Sequence, residues 1–302
     1  MTTTRPVVPL RSVLYMPGAN ARALEKAKTL DADALILDLE DSVAPDAKDL
    51  ARTQVAAAVK AGGYGRRLPV VRINALTTPW GHADLRAAVE AGAKVVLIPK
   101  VDGADAVREV EMAIHEMDED ANIKLWAMLE TPRGILRADE IAGSSFALKT
   151  LVMGTSDLAK DLHCHHTRDR EPMVTSLGLC LLAARAHNKA IVDGVCLDLS
   201  DDARFEAECL QGRHMGFDGK TLIHPKTVEV ANRVFAPDAE EIAMAQKISV
   251  AHAQAQAEGK GVTVVDGKLI EYLHVQTAER VLALARAVGA LDAAEEKEAA
   301  AG

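Results

Sequence analysis

Acidic side chains stand where apolar runs end in this sequence, and their spacing suggests shared chemistry. "KLWAMLETPRGI" carries the run Leu125 to Leu129 onto Glu130, "LVMGTSDLAKDL" places Asp157 shortly after Met153, and "ALILDLEDSV" ends on Asp38, Glu40 and Asp41. Two carboxylates brought together from separate runs, with the remaining positions left to water and substrate, suit Mg²⁺, which takes oxygen ligands and keeps several waters. Glu130 and Asp157 are the leading pair. Arg72, in "PVVRINA", offers a planar fork to a substrate carboxylate or carbonyl oxygen. The alternative for Arg72 is an ion pair inside the protein with Asp38 or Glu40. Acids at such positions also cap helices, the role expected of Asp46 and Asp202. The cluster "HCHH" (His163, Cys164, His165, His166) resembles a soft-metal site, but neighbouring residues of a helix point apart, so a polar loop is expected instead.

These groups can cooperate only if the fold gathers the run ends in one place. From residue 12 to about residue 235, short β-branched runs alternate with amphipathic segments. That is the rhythm of parallel strands joined by right-handed helical crossovers. The strands are expected at "SVLYMPG", "ALILDLE", "PVVRINA", "KVVLIPK", "KLWAMLE", "LKTLVMG", "AIVDGVC" and "GKTLIHP", and helices at Ala21 to Leu30, Asp46 to Ala61, Gly81 to Ala91, Ala104 to Met117 and Asp202 to Met215. About eight such units predict an α/β fold, a (β/α)8 TIM barrel with a C-terminal helical extension, and not a doubly wound sheet. "MPGANARAL" lacks the glycine pattern of a dinucleotide turn. In a barrel the carboxyl ends of all strands share one mouth, which adds Asn74, Lys100, Arg133, Thr155, Asp193, Asp198 and His224 to the candidates. Residues 1–235 are thus expected to form the catalytic barrel and 236–302 the extension, with helices near Pro237 to Glu258 and His274 to Val288. The Ala/Glu-rich "LDAAEEKEAAAG" is read as a solvated end.

Composition excludes several functions. A formal charge of −9 without a basic block, and aromatics at 3%, argue against a nucleic-acid partner. Cys164, Cys180, Cys196 and Cys209 show neither a C-x-x-C pair nor zinc spacing, which suits buried thiols in a reduced compartment. No run approaches the roughly 20 apolar residues of a membrane helix, and the start lacks a signal-like apolar segment. The expectation is a cytoplasmic protein with no membrane partner.

Seven collinear segments, "RSVLYMPGANARALEKA", "ALILDLEDSVAPDAK", "PVVRINA", "AMLETPRGI", "VMGTSDLAKDL", "FDGKTLIHPKTVEVAN" and "VVDGKLIE", resemble the citrate lyase β-subunit-like branch of the HpcH/HpaI aldolase superfamily. Its malyl-CoA lyases and malyl-CoA thioesterases are the most similar members. The resemblance implies a Mg²⁺-dependent barrel acting on acyl-CoA thioesters, assembled as a homotrimer or homohexamer in which one subunit's C-terminal segment reaches a neighbour's mouth. It places Glu130 and Asp157 on the metal, Arg72 on the α-keto acid or carboxylate, and Asp38, Glu40 and Asp41 in the acidic surroundings. Arg22 and Lys26 fall where the family meets the CoA phosphates. Many relatives carry a catalytic Asp in "DGK-x-[IV]-D"; here the aligned residue is Glu271, one methylene longer. The leading activity so implied is Claisen-type cleavage of malyl-CoA or a methyl analogue, and the alternative is hydrolysis of malyl-CoA to malate and CoA. A CoA-independent aldolase and a non-catalytic lyase-complex subunit are weaker readings.

Overall fold

In the computed structural model, which describes residues 7–291, the eight apolar runs pair side by side, all parallel, and close on themselves. The strands are β1 (Ser12–Pro17), β2 (Ala34–Asp38), β3 (Leu68–Arg72), β4 (Val95–Ile98), β5 (Lys124–Leu129), β6 (Leu148–Met153), β7 (Ala190–Asp193) and β8 (Gly219–Leu222). Around them run α1 (Ala21–Ala27), α2 (Lys48–Ala61), α3 (Gly81–Glu90), α4 (Ala104–Met117), α5 (Pro132–Leu136), α6 (Ala138–Ala142), α7 (Thr155–Leu162), α8 (Glu171–Ala186), α9 (Asp202–Met215) and α10 (Val228–Phe235). The chain is therefore a (β/α)8 barrel, as its alternating runs imply.

Strand side chains alternate between two environments because the pleat has a period of two. One cluster, including Val13, Ile36, Val70, Leu97, Met128 and Val152, fills the barrel interior. The intervening residues, among them Leu14, Leu37, Val71, Leu129, Leu151 and Ile191, pack against the helices. The helices return matching stripes. In α4 the buried residues are Ala104, Val107, Val110 and Ile114, spaced by three and four as one helical face requires.

At the amino ends of β1 and β2, Arg11 and Asp33 form a buried clamp. Nε and Nη2 of Arg11 donate to the carboxylate at 2.8 and 2.7 Å, and its backbone N–H donates at 2.9 Å. This end of a barrel serves stability.

Residues 10–235 make up one compact unit, and the residues from 236 onward belong to another. In the latter, α11 (Ala239–Ala257) opens with a capping box between Asp238 and Glu241. A hairpin of β9 (Thr263–Val265) and β10 (Lys268–Ile270) turns through Asp266 and Gly267, both at positive φ, and leads into α12 (Tyr272–Ala287). Ala245 on α11 packs with Ala278, Leu282 and Ala285 on α12. The Ala/Glu-rich end beyond Leu291 lies outside the described residues.

Asp33→Ala leaves the Arg11 guanidinium buried without its partner, so it should lower unfolding free energy by about 3–5 kcal/mol in urea titration. Mg²⁺ affinity of the folded protein should not change.

Candidate active site

Strand register fixes the first contact. Asp38 stands opposite Arg72 across β2 and β3, and both occupy the inward set of residues. Arg72 donates from Nε to Oδ1 at 2.6 Å and from Nη2 to Oδ2 at 2.7 Å. Asp38 also accepts the backbone N–H groups of Glu40 (2.9 Å) and Ser42 (3.1 Å), which wraps the turn after β2 around it. Burial pushes the Asp38 carboxyl upward, but the Arg72 charge and these hydrogen bonds outweigh burial and hold it below the usual range. Beneath the guanidinium lies the Tyr15 ring, 4.9 Å from Cζ to the centroid.

This arrangement engages part of the Arg72 fork within the chain. One edge of the guanidinium is spent on Asp38, and only Nη1 remains on the mouth side, 2.8 Å from Glu40. The internal ion pair is the realised alternative for that edge.

The loop bearing Glu40 and Asp41 is pinned from below. The ammonium of Lys48, buried at the start of α2, donates to the Leu39 carbonyl (2.8 Å), the Glu40 carbonyl (2.7 Å) and Oδ1 of Asn74 (2.8 Å). Asn74 in turn donates to Leu39 and Asp84, so this strand-end amide supports the loop. Lys48 and Tyr15 had no signal in the sequence beyond a helix-start lysine and a strand aromatic.

Lys100 connects the acids. Its backbone sits in the left-handed region, φ 51°, and its N–H donates to Oε1 of Glu130 at 2.7 Å. Its ammonium pairs with Glu40 and lies 3.5 Å from Asp41 and 3.2 Å from Asp157. Glu130 is only 3% exposed. Burial raises its carboxyl to about 7, with Lys100 pulling down and Glu40 pushing up. Gly154 makes room for it, since a methyl group there would lie 2.5 Å from Oε2 and overlap Cβ.

Asp157 stands in the first turn of α7, where the helix dipole favours a negative charge. Its Oδ2 is buried and makes no aligned hydrogen bond, its neighbour being the Lys100 ammonium at 3.2 Å. A carboxylate oxygen held only by that ion pair and the buried carboxylate of Glu130, both brought to Lys100 from consecutive strand ends, fit a hard divalent cation completed by water or substrate oxygen. Among the described residues, no cluster of three or more His, Cys, Asp or Glu side chains could hold an ion by itself.

The other strand-end candidates divide. Asp193 faces outward and pairs with Arg170 and Lys220. Asp198 is half-buried and bonds Ser200, and the ring of His224 accepts the Lys226 N–H at 3.1 Å. The side chain of Thr155 packs against Gly194, and Arg133 is exposed on α5. Asp46 and Asp202 are first-turn acids, while Asp201 caps α9. His163 ends α7 and Cys164 to His166 follow as a loop. All four cysteines are free thiols, three of them buried. Arg22 and Lys26 lie exposed, one turn apart on α1. Glu271 is exposed at the N-cap of α12, its N–H donating to Nδ1 of His274 at 3.0 Å.

The sequence profile of the HpcH/HpaI aldolase/citrate lyase family matches residues 11–225, most of the chain. This chain belongs to that family. It is 50% identical over 285 residues to a (3S)-malyl-CoA thioesterase of Cereibacter sphaeroides, covering 94% of this chain and 98% of the relative. It is 35% identical to the citrate lyase β subunit of Escherichia coli, covering 92% of this chain and 94% of the subunit. Among solved structures, CitE from Mycobacterium tuberculosis in complex with magnesium, acetoacetate and coenzyme A is similar with a TM-score of 0.74 and 28% identity, over 95% of this chain and 100% of that one. The same organism's citrate lyase β subunit with oxaloacetate and magnesium gives a TM-score of 0.66 at 29% identity, over 76% of this chain and 98% of that one.

Because the Glu130 carboxyl is raised from 4.5 to about 7, its contribution to stability is fully present below pH 4.5 and is lost as pH rises through about 7. Without added metal, Glu130→Gln should therefore be the more stable protein above pH 7, by up to roughly 3 kcal/mol. Denaturation from pH 5 to 8 checks this; a difference between the two proteins that does not grow with pH would refute it.

Proposed function

We propose that this chain is a Mg²⁺-dependent acyl-CoA enzyme that hydrolyses malyl-CoA to malate and CoA. What carries the reading is the full-length similarity to (3S)-malyl-CoA thioesterase, joined to the Glu130 and Asp157 pair at the barrel mouth. Glu130 and Asp157 hold the ion, whose chemistry when bound is Lewis-acid polarisation of substrate oxygens.

The chain's own residues do the rest. Arg72, fixed by Asp38, turns Nη1 toward the malyl carboxylate, and the Lys100 ammonium lies beside it to add positive charge. Arg22 and Lys26 present charges at one helical turn's spacing to the CoA phosphates. Residues 236–302 close the mouth of a neighbouring copy in a homotrimer or homohexamer and bring Glu271 to it. There Glu271 takes a proton from the attacking water; its extra methylene, against the Asp of many relatives, suits a base that reaches a water molecule. CoA chemistry and four free thiols fit a cytoplasmic setting, and among the described residues no helix is long and apolar enough to cross a membrane.

The second reading is Claisen-type cleavage of malyl-CoA to acetyl-CoA and glyoxylate. The similarity to citrate lyase β subunits, and the oxaloacetate and magnesium complex of one of them, favour it. The thioesterase relatives are the more similar, which ranks hydrolysis first.

Incubation with malyl-CoA and Mg²⁺, with free thiol, malate and glyoxylate assayed separately, distinguishes the two. Equal thiol and malate without glyoxylate is expected, and glyoxylate without thiol would contradict hydrolysis. Glu271→Gln should lower turnover by about 10²–10⁴-fold; full activity in that variant removes Glu271 from the role.

A further inference from the structure

We propose that the Lys100 ammonium and the divalent cation exclude one another on Asp157, so that metal binding moves Lys100 off that carboxylate while leaving it on Glu40. This exchange depends on Glu130 and Asp157 holding the ion, as proposed above, but not on which reaction follows.

Lys100 meets the acids through two groups that move independently. Its backbone N–H, aimed by the left-handed φ of 51°, donates to Oε1 of Glu130 at 2.7 Å. Its ammonium sits at the end of a flexible four-carbon stem, paired with Glu40 and 3.2 Å from Oδ2 of Asp157. The ammonium can therefore swing while Glu130 keeps its donor. Room for that swing exists, since the Lys100 side chain is 38% exposed.

The Asp157 contact is the one to give way. Oδ2 makes no aligned hydrogen bond, so the ammonium holds it by charge alone. A hard cation bonds a carboxylate oxygen at about 2 Å, which puts it roughly 5 Å or less from an ammonium that stays 3.2 Å from the same oxygen. Like charges that close repel. The dication carries the larger charge and binds Glu130 as well, so the ammonium yields. Arg72 cannot yield in its place, because it is bidentate on Asp38, stacked on Tyr15 and only 7% exposed. Glu40 then still joins Lys100, through Oε1, to Arg72, through Oε2, and keeps both cations at the mouth.

Lys160 offers a matched comparison. Its ammonium lies 3.7 Å from the other oxygen of Asp157, Oδ1, and 3.3 Å from Asp161, with the side chain 67% exposed. It brings the same charge to the same carboxylate from the solvent side, where water screens it.

Calorimetric titration of Mn²⁺ into the parent, Lys100→Met and Lys160→Met separates exclusion from a general effect of charge. Lys100→Met keeps the backbone donor and an unbranched side chain, and should bind Mn²⁺ about 10-fold or more tightly than the parent. Lys160→Met should stay within about 2-fold of the parent. Unchanged or weaker affinity in Lys100→Met overturns the proposal, and so does an equal gain in both variants. No Mn²⁺ binding by the parent would remove the metal pair and the exchange with it. Crystals of the parent soaked in Mn²⁺ give a second reading that needs no variant. Lys100 Nζ should lie beyond about 4 Å from Asp157 with its Glu40 pair intact; an ammonium still on Oδ2 beside the bound metal contradicts the exchange.

Discussion

Carboxylates crowded at one rim of the barrel set the constraint that the surrounding structure answers. Asp38, Glu40, Asp41, Glu130 and Asp157 come from the ends of three strands, and like charges so close oppose one another's ionisation. Arg72 and Lys100 oppose that repulsion from inside the cluster, each touching more than one acid. The balance is uneven. Asp38 is held ionised by a bidentate guanidinium, whereas burial leaves Glu130 with a carboxyl near 7. A rim whose five acids face two cations, with Glu130 buried among them, favours a hard divalent cation.

Positioning follows from the same economy of residues. Gly154 leaves space for Glu130, and a turn wrapped on Asp38 aims Glu40 at the mouth. Lys48 and Asn74 lock the loop between them. Gly18 lets the end of β1 meet the Asp38 carbonyl at 2.9 Å, a contact a side chain would obstruct. The opposite end of the barrel carries a closed Arg11 and Asp33 clamp, consistent with stability below and chemistry above.

Much of the barrel was legible because each strand is a short apolar run bounded by polar residues, and parallel strands covered on both faces read that way. The place of Glu130 was legible for a related reason, since an acid directly closing such a run lies at a strand end, whereas Asp157 stands beyond its run in the first turn of α7. Strand ends alone do not say which way a side chain faces. Asp193 closes its run as Asp38 does, yet alternation turns Asp38 inward to Arg72 and Asp193 outward to Lys220. Lys48 was hidden for another reason, because a lysine in a helix's first turn ordinarily reads as solvated surface. The left-handed backbone of Lys100, which aims its N–H at Glu130, has no marker in residue type.

The central claim is that Glu130 and Asp157 jointly hold the divalent cation. Calorimetric titration of Mn²⁺ into the protein and into Glu130→Gln and Asp157→Asn separately tests it most directly. The account predicts one tight site in the parent and at least about 100-fold weaker binding in each variant, the loss expected when one of two protein ligands is removed. Unchanged Mn²⁺ affinity in either variant would contradict it.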